Sequence, residues 1–237
     1  QSKASAAQAV VERLSSSSHS VRLNFFALDF LEVPSGLDAA LIWSQARTIN
    51  RAVRHILAKY AQHNHRQRPH HQLPTSVLIL AHSMGGVAAR AAPFMRNHEP
   101  GSISAIVTLN SPHQAHPFGA EGGFNQLYIR LNKLWSDPEA WRDDGDIRGN
   151  DGIDEKAERR RIGSRIGAGK GVLSGMAIAS ITGGSRDHVV RADLSSLQGL
   201  APAGRALHVW TTALPGVWIE TDHDAIVWCG QLVAVLS

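Results

Sequence analysis

Val77-Leu-Ile-Leu-Ala-His-Ser-Met-Gly-Gly86 decides how the rest of the chain is read. Branched aliphatic residues open it, as in a buried strand. Gly85 and Gly86 then permit a tight turn, and Val87-Ala-Ala-Arg-Ala-Ala92 has the composition of a helix start. A serine at such a corner sits on a strained strand-to-helix turn, its hydroxyl held out at the carboxyl edge of a sheet. Ser83 therefore reads as the nucleophile of a G-x-S-x-G-like elbow, with Ala81 where the first glycine is usual and still small enough for close packing.

Outward from this stretch the chain alternates strands with helices. Val21 to Phe30 begins with apolar–polar alternation and ends nearly continuous, which predicts a core strand of a parallel sheet. Leu41, Ile49, Val53, Ile56, Leu57 and Tyr60 keep helical spacing, so an amphipathic helix is expected from Leu37 to Ala61, and a polar, His-rich loop from His63 to Pro74. Strands are expected at Ile103–Leu109, Ala177–Thr182 and Ala206–Thr212, a partly helical cap over Gln114–Trp135, and a closing helix over Ala225–Leu236. Gln1–Leu14 has a helical pattern and Ser15–Ser20 is a low-complexity connector. Asp137–Gly171, rich in charge and glycine, reads as a loop insertion or disordered segment. The expected architecture is one α/β domain over residues 1–237, of the α/β-hydrolase fold: a mostly parallel sheet flanked by helices, lacking the amino-terminal strands.

Composition narrows the classes. The 237 residues, 43 % hydrophobic and 19 % charged, are those of a globular domain. The net charge of +4 owes much to the run Lys156–Arg161, so it points to no nucleic-acid partner. One cysteine, Cys229, excludes an internal disulfide and reads as a buried thiol. No apolar run reaches transmembrane length.

A serine hydroxyl becomes a useful nucleophile when an imidazole can take its proton and a carboxylate orients that imidazole. In this fold the three arrive in the order Ser, Asp, His, each in a loop after a strand. Asp187 follows the strand Ala177–Thr182 through Gly183-Gly-Ser-Arg, and His223 follows Ala206–Thr212 in Ile219-Glu-Thr-Asp-His223. The assignment is Ser83 as nucleophile, His223 as general base and then acid, and Asp187 as the group fixing the tautomer. Asp193 ranks second for the acid. Asp222, adjoining His223, reads as a helix cap. His82 is expected to point away from the serine and pack on the sheet, and His113 to line the pocket rim. The backbone N–H of Met84 is the expected oxyanion donor; its second donor would come from a loop after an earlier strand, expected to lie before Gln1. Phe118, Phe124, Leu127, Tyr128 and Leu131 could line an acyl groove or simply pack a cap. His63, His65, His70 and His71 lack metal-ligand geometry, so no metal and no organic cofactor is expected.

Several segments resemble the GPI inositol-deacylases: Phe25-Phe-Ala-Leu-Asp-Phe30, Pro74 through Arg90, Leu109-Asn-Ser-Pro-His113, Gly183-Gly-Ser-Arg-Asp-His-Val-Val-Arg191, and above all Trp218-Ile-Glu-Thr-Asp-His-Asp-Ala-Ile-Val-Trp-Cys229. The resemblance implies a lumenal hydrolase domain of a multi-pass endoplasmic reticulum membrane protein. Its implied substrate is the acylated GPI lipid of GPI-anchored proteins, from whose inositol the fatty-acyl chain is removed. Membrane association would reside in segments outside this chain. The family's serine, acid and histidine fall on Ser83, Asp187 and His223. Other readings are a general lipase or thioesterase of the same fold, or a catalytically impaired fragment acting as a binding module.

Overall fold

The computed structural model describes residues 24–30, 35–67, 73–119, 123–137, 172–173, 175–201 and 204–236. Four strands, β1 (Val77–His82), β2 (Ile103–Leu109), β3 (Ala177–Thr182) and β4 (Ala206–Trp210), lie in sequence order in one all-parallel sheet. The helices are α1 (Ala39–Gln67), α2 (Met84–Ala91), α3 (Gly123–Ser136) and α4 (Gly230–Leu236). Because every strand runs the same way, Ser83, Asn110, Gly183 and Thr211 all leave the sheet at one edge.

The main core forms where α1, α2 and α3 cover one face. Ile42, Ala46, Ile49 and Val53 project from α1 at helical spacing; Val87, Ala88 and Ala91 come from α2, and Leu127, Leu131 and Trp135 from α3. They meet Ile106 and Ile178, which the strand register places side by side. A smaller cluster of Leu109, Ile181, Val217, Ile226 and Leu232 covers the carboxyl end of the other face. Farther down that face Leu78, Leu80 and Leu207 are exposed.

Five expectations are corrected. Residues 24–30 form no strand, and Phe25 is 78 % exposed. This segment lies along α1 instead, with Asn24 Nδ2 donating to Tyr60 Oη at 2.8 Å and Phe26 edge-on to that ring. Alternation shows that a segment could bury a face, but it supplies no neighbouring strand to pair with. Helix α1 starts two residues late, where Asp38 Oδ1 accepts from Ala40 N–H at 2.8 Å. It then continues to Gln67, through the first part of the expected His-rich loop. Strand β4 stops at Trp210, and Thr211–Ala213 make a 3₁₀ turn. The closing helix is broken into a 3₁₀ turn at Ala225–Val227 and α4. The segments expected at Gln1–Leu14, at Ser15–Ser20 and, beyond Asp137, across the insertion to Gly171 fall outside the described residues.

Helix α2 starts so close to β2 that its second glycine lies against Thr108 and the Ser111 that follows the strand. A Cβ at Gly86 would collide with the Ser111 side chain, falling 2.6 Å from its Cβ and 3.0 Å from Thr108 Cγ2. At Gly85 there is nothing within 4 Å. Gly86→Ala should therefore lower stability by about 1–3 kcal/mol through overpacking, while Gly85→Ala is neutral or slightly stabilising. Urea unfolding midpoints check this; equal effects at the two positions would contradict it.

Candidate active site

Ser83 is held at φ 54° and ψ −133°, a conformation that L side chains rarely adopt, at a typical cost of about 1–3 kcal/mol. Two main-chain bonds fix it. Its N–H donates to Leu109 O at 3.0 Å, carrying the β1–β2 ladder one residue farther, and its carbonyl accepts from Gly86 N–H at 3.0 Å. A serine at the start of a helix ordinarily caps it with the hydroxyl. Here no such bond forms, and Oγ lies 2.8 Å from His223 Nε2. Met84 opens α2, so its N–H belongs to the first-turn donors that have no intrahelical acceptor.

The acid arrives on the turn after β3. A Cβ at Gly183 would run into the main-chain oxygen of Thr221, and the two residues are joined by a bond from Thr221 N–H to Gly183 O at 2.9 Å. Only glycine lets the acid-bearing and histidine-bearing turns come this close. Asp187 Oδ1 accepts from Val189 N–H at 2.9 Å and Val190 N–H at 2.7 Å, leaving Oδ2 at 2.9 Å from His223 Nδ1. Burial pushes this carboxyl up, but the hydrogen bonds from His223, Val190 and Val189 outweigh it and hold the group below its ordinary value of 3.8. An ionised Asp187 accepts from Nδ1–H, which leaves the Nε2 lone pair for the Ser83 hydroxyl proton.

The other sequence candidates have different partners. Asp193 is exposed and forms a two-pronged ion pair with Arg191, at 3.1 and 2.7 Å. Asp222 Oδ1 accepts from Asp224 and Ala225 N–H at 3.1 and 2.7 Å, as a cap does. His82 does not pack on the sheet: Nε2–H donates to the His223 main-chain oxygen at 2.8 Å, and the two rings lie 4.7 Å apart. His113, expected at a rim, is fully buried between Thr108 Oγ1, 2.8 Å from Nε2, and Arg90. Burial first, and then the charge of Arg90, push its pKa well down, so the ring is neutral. Phe124 is buried and stacked on His116 with centroids 4.2 Å apart, whereas Phe118 is 71 % exposed. Cys229 is half-buried beside the smaller cluster.

Two side chains that the sequence did not single out organise this edge. Arg90 is completely buried in α2: Nη1 donates to His113 O at 3.0 Å, Nη2 to Asn132 Oδ1 at 3.0 Å, and the guanidinium lies 5.6 Å from the Trp135 ring. Desolvation lowers its pKa to about 9. It ties the elbow helix to the loop after β2 and to α3. Asn110, also buried, connects the acid and histidine turns. Both bind main-chain atoms far away in sequence, which leaves no spacing to read.

Among the described residues, donor atoms of His82, His223 and Asp224 lie within 4.8 Å of one another. His82 Nε2 and both His223 nitrogens are already engaged, so a metal there would displace the bonds to Ser83, Asp187 and the His223 carbonyl. His70 and His71 of the His-rich segment lie outside the described residues.

A parallel sheet with a strained serine at the strand-to-helix corner after β1 defines an α/β-hydrolase-like domain. The chain belongs to the PGAP1-like alpha/beta domain family, which it matches over residues 1–237. It is 34 % identical over 220 residues to the GPI inositol-deacylase of Kluyveromyces lactis, covering 93 % of this chain and 20 % of that protein. Against the GPI inositol-deacylase of Debaryomyces hansenii it is 35 % identical over 209 residues, covering 88 % of this chain and 18 % of that protein. The GPI inositol-deacylase of Neurospora crassa is 33 % identical over 210 residues, with 88 % and 15 % covered. The chain thus spans about a fifth of the length of the relatives it matches.

Because the folded pKa of Asp187 lies below its unfolded value, the ionised group contributes stability that is complete above about pH 4. That contribution is lost as pH falls through the lower folded value. Asp187→Asn should flatten the acid limb of a urea-midpoint profile below about pH 4. Parallel acid limbs for the two proteins would contradict the assignment.

Proposed function

We propose that this domain is a serine ester hydrolase that removes the fatty-acyl chain from the inositol of GPI anchors. The observation that carries the hydrolase reading is the hydrogen-bonded line from Ser83 Oγ through His223 to Asp187, at 2.8 and 2.9 Å. In this reading Ser83 Oγ attacks the acyl carbonyl carbon while its proton passes to His223 Nε2. The tetrahedral intermediate places its negative oxygen at the Met84 N–H. Collapse breaks the bond to the inositol oxygen, which leaves with the proton from His223. Water then attacks the acyl-serine, His223 takes a proton from it and returns one to Ser83, and the fatty acid departs. Throughout, Asp187 keeps the Nδ1–H tautomer and stabilises the imidazolium. No step uses a metal or an organic cofactor.

The choice of substrate follows the names of the relatives. An apolar rim beside the elbow is compatible with it. Phe118 sits edge-on to His116 at 5.9 Å, and His116 Nε2–H donates to Gly36 O at 2.9 Å. A Cβ at Gly36 would in turn be 3.9 Å from Met84 Cγ. We assign exposed Leu37, next to Gly36, and exposed Phe118 to the acyl chain; buried Phe124 packs on the His116 ring that Phe118 meets. None of the described helices is long and apolar enough to cross a membrane. The same proposal has the domain act on the lumenal side of the endoplasmic reticulum, with membrane association supplied by segments beyond these residues.

Ser83→Ala in the full-length protein should leave GPI anchors acylated and resistant to phosphatidylinositol-specific phospholipase C, at unchanged protein level. Anchors that stay sensitive would overturn the substrate assignment. Equal fatty-acid release from simple acylglycerols and from acyl-inositol would favour a general lipase.

A further inference from the structure

We infer that Asn110 and His82 are positioning residues that together hold the main-chain carbonyl of His223, and through it set the imidazole between Ser83 and Asp187. This deepens the serine-hydrolase reading and rests on it. The His223 oxygen accepts from His82 Nε2–H at 2.8 Å and from Asn110 Nδ2–H at 3.4 Å. The Asn110 amide also donates to Asp222 O at 3.1 Å, and its Oδ1 accepts from Gly183 N–H at 2.7 Å. A single side chain thus grips both the turn that carries the base and the turn that carries the acid.

Asn110 is itself well fixed. It is fully buried, its N–H donates to Ile181 O at 3.0 Å, and its φ of 46° lies in the left-handed region that asparagine tolerates better than most residues. His82 is equally constrained as the last residue of β1, immediately before the nucleophile. The elbow therefore delivers two groups from adjacent positions: Ser83 to the ring of His223 and His82 to its backbone. An imidazole hangs from its main chain by two torsions, so a displaced carbonyl becomes a displaced Nε2. A shift of about 1 Å at a reacting group can cost roughly 100-fold in rate.

Three substitutions separate positioning from bulk stability. Asn110→Asp keeps the shape, the left-handed backbone and the acceptor for Gly183 N–H, but as a carboxylate it has no proton to give the two carbonyls. His82→Phe removes the other donor, and His82→Gln can restore an N–H near the Nε2 position. With p-nitrophenyl butyrate and the full chain, Asn110→Asp and His82→Phe should each lower kcat about 10- to 100-fold with KM within about threefold. His82→Gln should recover the greater part of the His82→Phe loss. Nitrogen-15 spectra of the labelled histidines at pH 8 should show His223 as the Nδ1–H tautomer in the parent and as a mixture in Asn110→Asp and His82→Phe. Unchanged kcat with a single retained tautomer would overturn the inference, as would a change confined to KM. If the parent hydrolyses the ester no faster than Ser83→Ala, the hydrolase reading fails instead, and the nitrogen spectra still decide the roles of Asn110 and His82.

Discussion

The backbone of Gly183 touches that of Thr221, and everything at the carboxyl edge of this sheet follows from that contact. The hydrogen bond between them, at 2.9 Å, joins the turn after β3 to the turn after β4, and a side chain of any size at residue 183 would force them apart. Once they meet, Asp187 and His223 are close enough to share a hydrogen bond. Asn110, just past the end of β2, fastens both turns to the sheet. The parallel register does the rest by placing Ser83 at the same edge.

The site has little room to adjust. Ser83 occupies a backbone conformation that only its surroundings maintain, and its hydroxyl has given up the usual capping role to face the imidazole. Asp187 is acidified by donors that are themselves rigid, two of them main-chain N–H groups. Buried Arg90 secures the elbow helix from behind. Carbonyl, amide and aromatic groups hold its guanidinium, and burial away from water lowers its pKa from the ordinary arginine range to about 9. Such groups are expensive to bury. Here the neutral His113 ring and the indole of Trp135 surround the cation.

Much of this was legible in the amino-acid order. The run Val77–Gly86 announces a strand, a turn and a helix. The glycine pair at 183–184 and the string around His223 mark two further strand ends, and the side chains so picked out do meet. Strand β2 and strand β3 have the expected bounds because their aliphatic runs are short and sharply ended. Residues 24–30 were misleading, since apolar alternation measures the capacity to be buried and says nothing of a pairing partner. His113 follows a strand just as His223 follows one, but nothing in its neighbours tells that it turns inward. Asn110 escaped notice and His82 was given the wrong direction for another reason: each donates to a main-chain oxygen more than a hundred residues away, and such bonds impose no motif.

The central claim is that His223, backed by Asp187, activates Ser83. Reaction of the protein with a fluorophosphonate, followed by mass mapping of the modified peptide, tests it most directly. The account predicts a stoichiometric adduct on Ser83, formed at least about 100-fold more slowly when His223 is replaced by alanine. An adduct on another residue, no adduct at all, or equal rates with and without the imidazole would contradict it.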